Sequence, residues 1–159
     1  MILTNLHSDL DYDTLLNILP KNIKPAYDGL SLSFWMKKDK IIITGGAGFV
    51  GSNLISFFLK KTNFKIISLD NYSSGNRKNH IKNSRVKYIK ADTSDIFIKL
   101  SKYKKKIHSV FHFGEFARIY QSFKNFDECF KSNSIGTNAV FKFCLENKIK
   151  LIYSATSAT

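Results

Sequence analysis

The run Thr44-Gly-Gly-Ala-Gly-Phe-Val-Gly51 constrains this chain more than any other feature. It follows the β-branched run Ile41-Ile42-Ile43, which reads as a buried parallel strand ending at Thr44. It precedes a helical pattern in which Val50, Leu54, Phe57/Phe58 and Lys61 recur at helix spacing. Gly45 permits the sharp strand-to-helix turn, Gly48 lets backbone approach a diphosphate, and Gly51 lets the helix pack against the strand. The helix N-terminus then offers free N–H groups and its positive end to an anion. No Lys follows the glycines, so this is not the loop of a nucleotide triphosphatase.

Downstream, strands alternate with helices. Phe64–Leu69 reads as a second strand ending at Asp70, Val86–Ile89 as a third, Val110–Phe113 as a fourth and Leu151–Tyr153 as a fifth. A helical segment carrying Ile96 and Leu100 lies between the third and fourth. One long helix, marked by Phe126, Cys129/Phe130, Val140 and Phe143/Cys144, precedes the fifth. This predicts an α/β fold: a doubly wound parallel sheet with right-handed crossovers, Rossmann-like, stopping after about five strands. Residues 1–38 read as an amino-terminal extension, and residues 39–159 as the folded domain. In the extension, Tyr12–Leu19 predicts one or two helical turns with Leu15, Leu16 and Leu19 on one face, ended by Pro20. Lys21–Ser33 reads as loop.

Charge narrows the function. The 159 residues carry 25 Lys+Arg against 12 Asp+Glu, a net charge of +13. The extension is mildly acidic, but the basic excess elsewhere is scattered, and its only dense run is Lys102–Lys106, broken by Tyr103. A nucleic-acid site needs basic residues clustered on one element with base-reading side chains, so nucleic acid is not expected as a partner. No apolar stretch reaches membrane-spanning length and the start has no secretory pattern. Cys129 and Cys144 form neither a disulfide framework nor a zinc pattern, and no metal site is expected. Reduced thiols and a cytoplasmic location are the expectation.

Asp70 sharpens the glycine signal. It ends the second strand, where a dinucleotide site places a carboxylate on the adenosine ribose. A carboxylate there repels a 2′-phosphate, which favours NAD over NADP. His112, inside a strand, reads as a core or supporting residue rather than a base.

T-G-G-A-G-F-V-G followed by L-D-N-Y-S-S-G-N resembles the extended short-chain dehydrogenases/reductases, and within them the NAD-dependent nucleotide-sugar epimerases and dehydratases, especially UDP-glucose 4-epimerase-like enzymes. Further matches appear in order: Ala91-Asp-Thr93, Val110-Phe-His-Phe-Gly114, Asn133-Ser-Ile-Gly-Thr137 and Ser154-Ala-Thr-Ser-Ala158. The resemblance covers about Lys40 to Thr159. It implies that Gly45, Gly48, Phe49, Val50, Gly51, Asp70, Asn71, Ser73, Ser74, Gly75, Asp92, Thr93, Phe113, Gly114, Glu115 and Asn133 surround NAD. Asn133 has an equally good reading as a tie between strand and helix. Thr156 aligns with the catalytic Ser/Thr. Ser157-Ala158 stand where dehydratases have Asp-Glu, which favours epimerisation.

The resemblance further implies transient oxidation at C4 of a nucleotide-diphosphate sugar and hydride return to the other face. The family's Tyr-x-x-x-Lys pair and its sugar-binding subdomain come after Thr159. The chain therefore reads as the amino-terminal, NAD-binding portion, inactive by itself, of an enzyme that is a homodimer when intact. The single Tyr-x-x-x-Lys present, Tyr120–Lys124, lies upstream of Thr156 and reads as a chance match in a loop. A bare sheet edge predicts self-association of the isolated portion.

Overall fold

The computed structural model describes residues 2–3, 12–20, 24–25 and 38–154. Thr156 and the Ser157-Ala158 pair lie outside the described residues. Five parallel strands make the body of the sheet: β3 (Lys40–Thr44), β4 (Lys65–Asp70), β5 (Val86–Lys90), β6 (Ile107–His112) and β7 (Lys150–Tyr153). Two two-residue strands, β1 (Ile2–Leu3) and β2 (Lys24–Pro25), extend it, so the order is β2-β1-β7-β6-β3-β4-β5. The order in which successive strands are added reverses between β3 and β6, the switch point at which doubly wound folds hold ligands.

Alternation along β3 shows why both faces are covered. Ile41 and Ile43 join Ile55, Phe58, Ile66 and Phe111 on one face. Ile42 joins Ile67, Leu69, Ile96, Leu100, Val110, Val140, Phe143 and Leu151 on the other. All three isoleucines are buried, and each contributes about 1.5–3 kcal/mol by leaving water. Helix α2 (Phe49–Lys61) covers the first face; α3 (Ile96–Leu100) and α6 (Thr137–Glu146) cover the second.

The structure departs from the expectations in four places. The fourth strand starts at Ile107, because Ile107 and Ser109 are buried and pair with β3. The long helix runs from Phe126 to Glu146 as α5 (Phe126–Phe130), a π-helical stretch (Lys131–Gly136) and α6, with helical backbone at both junctions, and a further helix, α4 (Ile119–Lys124), stands where a loop was expected. The wide turn places Asn133 against the loop after β6. Third, Lys24–Pro25 is strand rather than loop, paired parallel to β1. Fourth, the outer edge of β7 is not bare: Ile2 pairs with Ile152 in parallel register. The helix expected near Tyr12–Leu19 is present as α1 (Tyr12–Ile18), with Leu15 buried. Among the described residues no helix is long and apolar enough to cross a membrane.

Candidate functional site

The turn between β3 and α2 is built as the glycines require. Gly45 has φ +70°, the left-handed region, and a Cβ there would strike the Phe113 carbonyl. A Cβ on Gly51 would drive into the Gly45 carbonyl oxygen, so α2 can approach the strand end only with glycine at this position. Helix α2 opens at Gly48 with no side-chain cap and no acidic residue in its first turn, leaving its amino end for an anion.

The carboxylate of Asp70 reaches across to this turn. Its Oδ2 accepts from the Ala47 N–H at 2.8 Å, and its Oδ1 from the Tyr72 N–H at 2.8 Å. An ionised carboxylate has about four acceptor positions, so two remain for ligand hydroxyls. The cleft beside it measures about 450 Å³ with its open mouth. Gly45, Gly48, Leu69, Asp70, Asn71, Ser73, Ser74, Gly75, Ala91, Thr93, Phe113, Gly114, Glu115 and Ser132 line it. Eleven of the expected residues are therefore brought together beyond the carboxyl ends of β3, β4, β5 and β6.

Others take different places. Phe49 and Val50 are exposed at the start of α2, and Gly51 packs beneath Gly45 rather than lining the cleft. Asp92 lines the adjoining groove, where it accepts from Asn71 Nδ2 at 2.9 Å and Lys131 Nζ at 2.8 Å. The Lys131 ammonium, then the Asn71 amide, hold the Asp92 carboxyl below its ordinary value. Asn133 does not line the cleft. Its Oδ1 accepts from the Phe116 N–H at 2.6 Å and its Nδ2 donates to the Phe116 carbonyl at 3.0 Å, a two-pronged clasp that ties the π-helical stretch to the loop after β6.

Tyr120 and Lys124 lie on α4 and not in a loop, with the ammonium 5.1 Å from the ring centroid. Tyr120 is exposed and neither residue lines the cleft, so the pair has no place in this site.

Sequence reasoning missed a buried chain of side chains under the β6 side. Thr44 Oγ1 accepts from the Phe113 and Gly114 N–H groups at 3.1 and 3.0 Å. Both lone pairs are thereby used, so its hydroxyl proton goes to His112 Nδ1, 2.6 Å away. That assigns the proton of His112 to Nε2, which donates to Thr137 Oγ1 at 3.0 Å. Thr137 in turn donates to Glu115 Oε1 at 3.2 Å, and Tyr153 donates to the same oxygen at 2.9 Å. His112 is fully buried, and desolvation pushes its pKa down to about 4, so it stays neutral as the relay requires. Desolvation raises the Glu115 carboxyl pKa, against the pull of the Tyr153 and Thr137 hydrogen bonds. Desolvation, then the hydrogen bond and charge of Glu115, push Tyr153 up to about 12, so it remains a donor. Thr137 ends the Asn133-to-Thr137 motif, and that was the available signal; Ser132, which lines the cleft and donates to the Gly114 carbonyl, carried none.

Comparison with known proteins places the chain in a family. The model of the NAD dependent epimerase/dehydratase family matches residues 41–159. The chain belongs to this family. Among curated relatives, a dTDP-D-glucose 4,6-dehydratase of Dictyostelium discoideum is 34% identical over 124 residues, covering 74% of this chain and 29% of the relative. A UDP-glucose 4-epimerase of Halalkalibacterium halodurans is 32% identical over 126 residues, covering 75% and 35%. Among solved structures, the UDP-glucose 4-epimerase of Thermus thermophilus in complex with NAD superposes with a TM-score of 0.65 at 25% identity, over 74% of this chain and 37% of that one. The chain spans about a third of the length of these two curated relatives. Its Rossmann-like body and the family's NAD dependence are those implied by the motifs from Thr44 to Thr137.

Proposed function

We propose that this chain is the NAD-binding portion of a nucleotide-sugar epimerase. The carrying observation is the facing pair of a glycine turn that excludes side chains and a carboxylate bonded to that turn, at one mouth of the cleft. The turn and the uncapped end of α2 hold the diphosphate, and Asp70 holds the adenosine ribose through its free acceptor positions. Asn71, Ser73, Ser74 and Gly75 wall the same end, with Asp92 beyond them toward the adenine. The bound nicotinamide supplies reversible hydride acceptance. The residues of this chain bind and orient it, and Thr156, on the segment after β7, shares the proton path at the sugar.

A homodimer is supported by the apolar surface of α4 and α5, where Ile119, Phe123 and Phe126 are 79%, 81% and 68% exposed. The second reading, a non-catalytic NAD-binding module, is favoured by one observation: the tyrosine–lysine pair on α4 lies away from the cleft.

Equilibrium dialysis of the chain with NAD+ tests what both readings share, and proton NMR of UDP-glucose incubated with the chain complemented by a carboxyl-terminal portion that carries a Tyr-x-x-x-Lys helix separates them. Binding with interconversion to UDP-galactose in the complemented form supports the epimerase reading. Binding without turnover in that form supports the module, and no binding by folded protein rejects both.

A further inference from the structure

The two carboxylates of the cleft stand on opposite sides of the switch point. Asp70 ends β4, one strand to one side of β3; Glu115 follows β6, the next strand on the other side. In a doubly wound sheet a dinucleotide lies across this reversal, one nucleotide on each side. If Asp70 meets the first ribose, the second passes over the ends of β6 and β7, where Glu115 and Tyr153 are found.

Glu115 is held as an acceptor. Both hydrogen bonds it receives, from Thr137 and Tyr153, end on Oε1. Oε2 takes no hydrogen bond from the described residues, and Glu115 lines the cleft. The donors are fixed from behind: Thr137 must donate because it receives the Nε2–H of His112, and His112 must present Nε2–H because Thr44 occupies Nδ1. Four elements thus fix one carboxylate whose second oxygen is left for a ligand. A carboxylate with such support recognises a hydroxyl donor, as Asp70 does, and repels phosphate.

We propose that Glu115 binds the hydroxyls of the ribose beyond the diphosphate, with Thr137 and His112 as positioning residues. This rests on the reading of the cleft as a dinucleotide site. It makes the β6 side a second ribose clamp supplied by the chain itself.

The test compares ADP with ADP-ribose, which differ by that ribose. Isothermal titration on the full chain reads the ratio of the two affinities. The wild type is expected to prefer ADP-ribose. Glu115→Ala is expected to lower the preference about tenfold, with ADP affinity unchanged. Glu115→Gln keeps the shape and guards against misfolding of the alanine variant; it is expected to lower the preference about threefold. Thr137→Val is expected to act in the same direction, again without changing ADP, which a purely structural role would not do. An unchanged preference in either Glu115 variant overturns the proposal. So does tighter binding of both ligands, which would mean that Glu115 faces the diphosphate. If folded wild-type protein binds neither ligand, the dinucleotide reading itself falls and this one with it.

Discussion

The two sides of the cleft hold their carboxylates by different means. On the β4 side, backbone amides fix Asp70: one from the glycine turn and one from the next loop. On the β6 side, side-chain hydroxyls fix Glu115, themselves ordered by a buried histidine and a threonine on β3. The first arrangement depends on local backbone geometry and tolerates change in its surroundings. The second depends on four side chains from β3, β6, α6 and β7, and each member leaves another unsatisfied when removed.

The largest effect expected from this difference is Thr44→Val. It keeps the shape but takes the acceptor from the Gly114 N–H and the donor from His112 Nδ1, while the Phe113 N–H keeps its 3.3 Å bond to the Thr44 carbonyl, at a cost of about 3 kcal/mol. Urea unfolding checks it; a loss under about 1 kcal/mol would mean that the relay is not cooperative.

His112 gives the next. Its pKa is depressed from 6.5 to about 4, so as pH falls the unfolded chain takes up a proton before the folded one. Its stabilising contribution is complete above pH 6.5 and is lost toward pH 4, by about 3 kcal/mol. Stability measured across that window should fall less in His112→Gln than in the wild type. Glu115 has the opposite sign: its raised pKa removes stability as pH rises through its ordinary value of 4.5.

A third prediction concerns the clasp. Asn133→Ala strips both bonds to the Phe116 backbone and should cost about 2 kcal/mol, with faster hydrogen exchange at the Phe116 amide. On the β4 side, Asp70→Asn retains one acceptor oxygen, and its stability loss should stay near about 1 kcal/mol. The smallest effect belongs outside the cleft. Phe123→Ser on exposed α4 should leave stability within about 0.5 kcal/mol while reducing self-association in light scattering.

The same contrast explains what was legible beforehand. Gly45, Gly51 and Asp70 are read from spacing because the constraint is local: a left-handed turn, a close helix approach, a strand end. The five-strand alternation follows from short apolar runs such as Ile41–Ile43, which leave no other way to bury both sheet faces. The relay joins Thr44 to residues 68 positions away and beyond, and no periodicity links them. The π-helical widening at Lys131–Gly136 was hidden because that stretch has Ile135 as its one large apolar residue and so no apolar pattern in which a change of helical pitch could show. Pairing of Ile2 with Ile152 was hidden for the same reason as the relay: a two-residue strand has no pattern of its own.

We propose that the glycine turn and Asp70 together grip a dinucleotide. Isothermal titration of the folded chain with NAD+ and NADP+, repeated on Asp70→Ala, tests it directly. One site per chain, preference for NAD+ over NADP+, and loss of about tenfold or more in NAD+ affinity in the variant are expected. Equal affinity of wild type and Asp70→Ala for NAD+, or no binding by protein with a native melting transition, would contradict it.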